Sequence, residues 1–334
     1  MLGTRIALDV MGGDRAPDAI LDGALRACSP LGQLRMAPER ILLIGDEELI
    51  ARKLAERDGN PGFAIQHASE VIGMGESPAA ALRAKRDSSI SVGIGAVKKG
   101  AAGAFVSMGN TGAVVGASTL GLGTLEGVKR PGIAVTLELT GHPMTLIDMG
   151  ANIAPKPEHL LQYASMGAVY VRDCLGKPEP RVGLLNVGEE DSKGTDLYKE
   201  AHQKLRDSGL NFVGNLEGGD VFANKAEVLV MDGFTGNVIL KLLENFAGFM
   251  LGLTLKELAE NGIEGAPKAV DRVKKTIDYS EYGGALLLGV AGIVIIGHGR
   301  SDDNAVANAL GLAARALDSH VNDHIVQGFE SASA

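Results

Sequence analysis

Residues Gly103 to Ala113 read GAFVSMGNTGA. An apolar, strand-like piece breaks into Ser107, Met108, Gly109, Asn110, Thr111 and Gly112, and small apolar residues then resume. A plain turn needs one or two such residues. This cluster suits a strand end at which backbone N–H groups and short polar side chains close around something small and negative. Strand, glycine-rich loop and helix start is the unit from which open α/β sheets are built, and the rest of the chain repeats it.

RIALDV precedes APDAILDGALRAC, in which Ile20, Ala24, Leu25 and Cys28 line one helical face. RILLIG precedes EELIARKLAERDG, and GFAIQHA precedes a helix opening near Ser77-Pro78. GAFVSM, GIAVTLEL, MTLIDMG, RVGLLNVG, LNFVGNL and AEVLVMD continue the series. Near-continuous Val, Ile and Leu runs belong to strands covered on both faces. The expectation is an α/β fold: an α/β/α sandwich with a mainly parallel sheet, and an antiparallel hairpin or edge strand where two runs sit close together. GGALLLGVAGIVIIGHG, Gly283 to Gly299, is shorter in its uncharged core than a membrane-spanning helix and is read as two short buried strands with a turn.

No Pro- or Ser-rich linker divides the chain, so residues 1–334 are expected to form a single α/β/α catalytic domain with a long helical extension at 234–276. Val238, Leu242, Phe246, Phe249 and Leu253 recur there at steps of four and three. Such a wide stripe is read first as core or dimer interface, and second as a peripheral membrane contact.

Glycine is the outlier of composition, 46 of 334 residues, and with no collagen-like period it must serve tight turns and close backbone approaches. The absence of Trp and 4% aromatics argue against a base-stacking surface, and a net charge of -9 against general nucleic-acid binding. Two cysteines, Cys28 and Cys174, fit a reducing compartment and give neither a disulfide framework nor a zinc pattern; no metal is expected. The N-terminus enters a strand at once, so a cytoplasmic protein without a signal peptide is expected.

Six polar loops follow apolar runs: DVMGGD (Asp9 to Asp14), SMGNTGA, DMGAN (Asp148 to Asn152), NVGEEDSKGT (Asn186 to Thr195), MDGFTGN (Met231 to Asn237) and GHGRSD (Gly297 to Asp302). In an open α/β sheet ligands sit at the carboxyl ends of the strands, where helix N-termini offer free N–H groups. Any one of these loops is equally a turn and a cap; six at one sheet edge point to a small anion plus a carbonyl. None carries a dinucleotide or Walker motif. Lys193 and Arg300 are the cations among them, and His298 fits a turn between two glycines as well as an acid or base.

Taken in order, LDVMGGDRAP, SPAAALRAKRDSSI, SMGNTGA, KRPGIA, DMGAN, NVGEEDSKG, GFTGNVILK and GHGRSD resemble the PlsX family of phosphate acyltransferases, from about Arg5 to Ile325. The resemblance implies a fold like that of the phosphotransacetylases and isopropylmalate dehydrogenases, as a homodimer without cofactor. It implies transfer of a long-chain fatty acyl group from acyl carrier protein to inorganic phosphate. The acyl phosphate would then serve a glycerol-phosphate acyltransferase in bacterial phospholipid synthesis, in the cytoplasm or peripherally at the inner face of the membrane. Met108 departs from the Ala expected of the family, which bears on chain length if its side chain reaches the acyl tunnel.

On that resemblance Lys193 and Asn237 are the expected catalytic pair, holding phosphate or the developing oxyanion. Asn110 and Thr111 form an anion cradle with Ser107, Gly109 and Gly112, while Asn152, His298, Gly299 and Arg300 complete a polar wall. Gly12, Gly13, Asp148, Gly194 and Asp232 belong to the phosphate and substrate loops, and Asp9 and Asp14 organise them. A thiolate leaves a thioester with little acid help, so direct phosphate attack needs positioning and dipoles rather than a triad. Carrier protein is acidic, and Arg83, Lys85, Arg86 and Arg130 are the expected docking cations, with Lys98, Lys99 and Lys129 beside them. The alternatives are a phosphotransacetylase acting on acyl-CoA and a non-catalytic scaffold that binds acyl phosphate.

Overall fold

Each apolar run read as a strand forms one. A computed structural model describes residues 5–32, 34–138, 141–263, 265–277 and 283–333. In chain order it opens with β1 (Ile6–Asp9), α1 (Asp18–Cys28), β2 (Ile41–Gly45), α2 (Glu47–Ala55), β3 (Ala64–His67), α3 (Pro78–Ala84), α4 (Ser89–Lys98), β4 (Ala104–Ser107) and α5 (Thr111–Gly121). There follow β5 (Gly132–Leu137), β6 (Met144–Ile147), α6 (Pro157–Leu175), β7 (Val182–Leu185), α7 (Asp196–Arg206), β8 (Phe212–Leu216), β9 (Val228–Val230), α8 (Gly233–Glu260) and α9 (Ala266–Ile277). The chain returns through β10 (Ala285–Leu288), β11 (Ile293–Ile296), α10 (Asp303–Asp318) and α11 (Val321–Ser333).

The contacts divide the chain into two compact units, Met1–Pro131 with Tyr282–Ala334, and Gly132–Glu281. Where the sequence reads as one domain, the fold makes two units from an inserted segment, and no linker composition marks the two boundaries.

In the first unit the strand order is β3-β2-β1-β4-β11-β10, with all pairs parallel except the β10–β11 hairpin. Every residue of β1, β2, β4, β10 and β11 is buried, as strands covered on both faces require. One set of helices, α1 and α10, packs together with α10 on β1, β4 and β11; another, α4 with α5, lies on the same strands. At α4 the approach is close enough that a methyl group on Gly93 would overlap the Phe105 ring of β4.

In the second unit the order is β5-β6-β9-β7-β8, with β5–β6 antiparallel and the remaining pairs parallel. Helix α6 packs on β6 and β9, α7 on α6 and β8, and α8 on β6 and α9. Arg181 and Glu227 clamp the starts of β7 and β9 through the Arg181 backbone N–H (2.8 Å) and two guanidinium nitrogens (3.1 and 2.7 Å).

Helix α8 corrects one expectation. It is 28 residues long, apolar enough by length and composition to cross a membrane, and none of its most apolar window is buried. Only Gly233 and Gly236 are buried; Val238, Leu242, Phe246, Phe249, Met250 and Leu253 are exposed. Its stripe is therefore not core of this chain.

Gly93→Ala should lower unfolding stability by roughly 1–3 kcal/mol through overpacking. Adding Phe105→Leu should return part of that loss, a non-additivity read from denaturant midpoints of the two single variants and the double.

Candidate active site

In the first unit the loops after β1, β4 and β11 meet. The Asp9 carboxyl, at the end of β1 and without solvent exposure, accepts the Met11 N–H (3.0 Å) and the Ser107 hydroxyl (2.7 Å). The Ser107 oxygen in turn accepts the Gly109 N–H (3.0 Å), and the Asp14 N–H donates to the Gly299 carbonyl (2.7 Å). Burial pushes the Asp9 carboxyl above the usual carboxylate range, against hydrogen bonds from Ser107, Ser89, Met11 and Gly12 that pull it down. Asp9 and Ser107 thus shape the loops and offer nothing outward.

Asn110 is likewise committed to the fold. Its side-chain oxygen caps α5 by accepting the Ala113 N–H (3.0 Å), while its amide nitrogen donates to the carbonyls of Gly73 (3.3 Å), Met74 (3.2 Å) and Glu76 (3.0 Å). The expected cradle is corrected accordingly. What the loop exposes is Thr111 and Gly112, the first residues of α5, whose N–H groups take no partner among the described residues. Arg300 is exposed on the loop after β11, where its N–H donates to His298 Nδ1 (3.1 Å). Met108 is buried against Gly13 and Gly297, where any side chain on Gly297 would collide with its sulfur. It fills the gap beside a glycine.

Lys85, expected to dock a partner, is also engaged: its ammonium binds Glu76 (2.5 Å) and the Val71 carbonyl (2.7 Å). The segment from Val71 to Glu76 is thereby held by Lys85 on one side and Asn110 on the other. Arg83, Arg86 and Arg130 are exposed and have no ion-pair partner among the described residues.

In the second unit the centre is Asp148, after β6 and fully buried. Its Oδ1 accepts the N–H groups of Ile133 (3.0 Å), Gly150 (3.1 Å) and Ala151 (2.9 Å); its Oδ2 accepts the Asn152 N–H (2.7 Å) and side-chain amide (3.3 Å). Burial pushes this carboxyl up, opposed by those four backbone donors. The Asn152 carbonyl then accepts the Gly233 N–H (2.9 Å) at the start of α8. A side chain on Gly236 would overlap the Asp148 carbonyl oxygen, so α8 can lie on this loop only through a glycine. One residue on, Asn237 is exposed with its amide beside Gly150.

Asp232 caps α8, accepting the Thr235 N–H (2.9 Å) and hydroxyl (2.7 Å) and the Tyr198 hydroxyl (2.6 Å) from α7. Lys193 and Gly194 lie just before α7. Lys193 is exposed, with Glu190 Oε2 3.7 Å from its ammonium, and its carbonyl accepts the Asn186 amide (3.2 Å). Asp148, Asn152, Asp232 and Asn237 are thus brought together at one helix start, with the Lys193 loop joined to it through Tyr198. Tyr198 was not among the residues expected from sequence; a tyrosine in the first turn after a glycine-containing loop carries no distinctive signal. Neither cysteine belongs to these loops. Cys28 ends α1 and burial, helped by Glu39, pushes its thiol up to about 11; Cys174 lies in α6.

Burial acts to raise the Asp232 carboxyl too, but the Tyr198 and Thr235 hydrogen bonds outweigh it and hold the group below the usual range. A depressed folded value contributes stability above the unfolded value of about 3.9, lost as pH falls through the folded one. Asp232→Asn should therefore be less stable than the parent at neutral pH, and the gap should close as denaturant melts are carried from about pH 7 down to about pH 2.

The family described as fatty acid synthesis protein matches residues 4–324. The phosphate acyltransferase of Desulforamulus reducens is 42% identical over 331 residues, covering 98% of this chain and 98% of that one. That of Heliobacterium modesticaldum is 44% identical over 332 residues, covering 96% and 97%. Among solved structures, a phosphotransacetylase from Streptococcus pyogenes superposes with a TM-score of 0.65 at 16% identity, covering 94% of each chain. A branched-chain phosphotransacylase from Enterococcus faecalis gives 0.60 at 16% identity, covering 94% and 99%. At such identity these two structures establish the shared α/β fold.

Proposed function

The chain belongs to the phosphate acyltransferase family, and from that premise we propose that it transfers a long-chain fatty acyl group from acyl carrier protein to inorganic phosphate. It is an acyltransferase. In the proposed step a phosphate oxygen attacks the thioester carbonyl, a C–O bond forms, and the C–S bond breaks with the electron pair leaving on sulfur as thiolate. The products are acyl phosphate, a substrate for phospholipid synthesis, and free carrier thiol.

The observation that carries this reading is the orientation of charge at the start of α8. The Asp148 and Asp232 carboxylates are spent on internal donors, whereas the Asn237 amide is exposed and the Lys193 ammonium stands on the loop tied in through Tyr198. Donors facing out with carboxylates facing in favour an anion. Lys193 is assigned to phosphate or the oxyanion that develops on the carbonyl, and Asn237 donates to the same centre. In the first unit the free N–H groups of Thr111 and Gly112 at the α5 start are a second anion-favouring point. Exposed Ile153, Val187 and Phe234 each sit one residue from a polar loop residue, which suits an acyl chain arriving beside them. On the same reading the exposed face of α8 is covered in a homodimer, or by lipid at the inner face of the membrane.

Purified protein mixed with long-chain acyl carrier protein should release free thiol only when inorganic phosphate is present, with acyl phosphate trapped as the hydroxamate by hydroxylamine. Release from acyl-CoA alone would favour a phosphotransacetylase, and release from neither donor would overturn the proposal. Lys193→Ala should abolish turnover and leave melting nearly unchanged; turnover near that of the parent would remove Lys193 from the chemistry.

Arg83 and Arg86 stand exposed at the end of α3, free to meet an acidic carrier, and with Lys85 neutralised by Glu76 they take the docking role. Charge reversal of both should raise the KM for carrier protein and weaken its dependence on salt. An unchanged KM would place docking elsewhere.

A further inference from the structure

Helix α7 carries a polar stripe that the proposed chemistry does not use. Tyr198, His202 and Arg206 follow at steps of four, hence on one face of the helix. His202 is buried, which is unusual for a residue on a helix this rich in charge. Each of the three reaches a different part of the structure around Lys193.

Tyr198 donates its hydroxyl to Asp232 Oδ2 (2.6 Å) and accepts the Asp232 N–H (3.2 Å), so both ends of that phenol oxygen are fixed on the cap of α8. Burial, with the carboxylate beside it, pushes the phenol pKa up and keeps the group a donor. Gly194 packs on the same tyrosine: a Cβ there would stand 2.9 Å from Tyr198 Cβ and 2.6 Å from Asn186 Oδ1.

His202 Nδ1 lies 2.9 Å from Asn215 Oδ1, an acceptor that calls for the proton on Nδ1, while Nε2 faces Arg206 at 2.8 Å and Asp191 Oδ1 at 3.3 Å. With its oxygen so held, Asn215 donates its amide to the Glu190 carbonyl (2.8 Å), the same oxygen that accepts the Lys193 N–H (3.0 Å). Arg206 also binds the Asp191 carboxylate. The segment from Glu190 to Gly194 is therefore pinned at its first two residues by His202 and Arg206, and at its last by Tyr198.

We infer that this stripe is the positioning element of the site: Tyr198, His202 and Arg206 set the Lys193 loop against the α8 start that carries Asn237. The inference rests on the assignment of Lys193 to phosphate. None of the three touches substrate; they act through Lys193. Loss of one constraint leaves the lysine present but misplaced, and misplacement by about an ångström is costly to rate.

Tyr198→Phe removes one oxygen and keeps the ring that packs on Gly194. It should lower kcat about tenfold to a hundredfold and raise the KM for inorganic phosphate, with the KM for the acyl donor unchanged and melting lowered only by the loss of the hydrogen bond to Asp232. His202→Ala should do the same, and His202→Gln, whose amide offers both a donor and an acceptor, should recover most of the loss. If His202→Ala does not fold, the Tyr198→Phe split between the two substrates still decides. Equal rises in both KM values would mark the stripe as general scaffold and overturn the inference, as would parental kinetics in Tyr198→Phe. Lys193→Ala, measured in parallel, separates the two levels. If it is inactive while the stripe variants are unaffected, only the positioning role fails; if it is fully active, the premise fails.

Discussion

A carboxylate that leaves water must recover its hydrogen bonds from the protein or be neutralised, and the second unit is arranged around one that recovers them. Asp148 sits at the dry end of β6, and the chain wraps after it so that Gly150, Ala151 and Asn152 all present N–H groups to its two oxygens. That wrap turns the Asn152 carbonyl toward the start of α8, where Gly233 donates to it. Close seating of α8 then requires glycine at 236 and sets the next residue, Asn237, beside Gly150. Asp9 repeats the device in the first unit, through Ser107 and the Gly109 N–H. The polar loops are thus less a collection of ligand groups than a frame built on inward-facing acids.

Much of the fold was legible because the strands are buried on both faces. Runs such as ILLIG at 41–45 and VGLL at 182–185 have no polar alternation to confuse them, and all of their residues are buried. The hairpin at Ala285–Ile296 was legible for a similar reason, two apolar runs divided by glycines and too short to span a bilayer. The division into two units was not, because the inserted segment joins its host at Pro131 and near Tyr282 without a change in composition. For α8 the periodicity gave the helix within two residues at its start, but periodicity cannot distinguish a stripe that packs within its own chain from one left uncovered.

The polar loops were legible by position, and their division of labour was not. Asn110 looks in sequence like an anion ligand; in the fold its three polar contacts on nitrogen and its cap on oxygen use the whole amide. Lys85 looks like a docking cation and is an internal tie to Glu76. Conversely Tyr198, His202 and Arg206 lie in a helix rich in charge, where no motif marks them. Whether a polar group looks inward or outward depends on partners 10 to 100 positions away, such as Asp9 for Ser107 or Asp232 for Tyr198. Local pattern carries no trace of them.

This arrangement also bears on how the proposed reaction would be driven. A thiolate departs readily and phosphate is already anionic near neutrality, so neither a strong acid nor a strong base is required. The carboxyls of Asp9 and Asp148 are enclosed among donors, and the Cys28 thiol, held up to about 11 at the end of α1, stays protonated. Groups of that kind are poor proton carriers. What stands exposed in the second unit is donors, the Asn237 amide and the Lys193 ammonium. On the proposed reading such a site would draw its rate from where its dipoles point before substrate arrives, because donors that need not reorganise stabilise a developing oxyanion most. Its weak point is then geometric, and on the proposed chemistry the buried polar contacts that hold the Lys193 loop serve to keep the lysine in place.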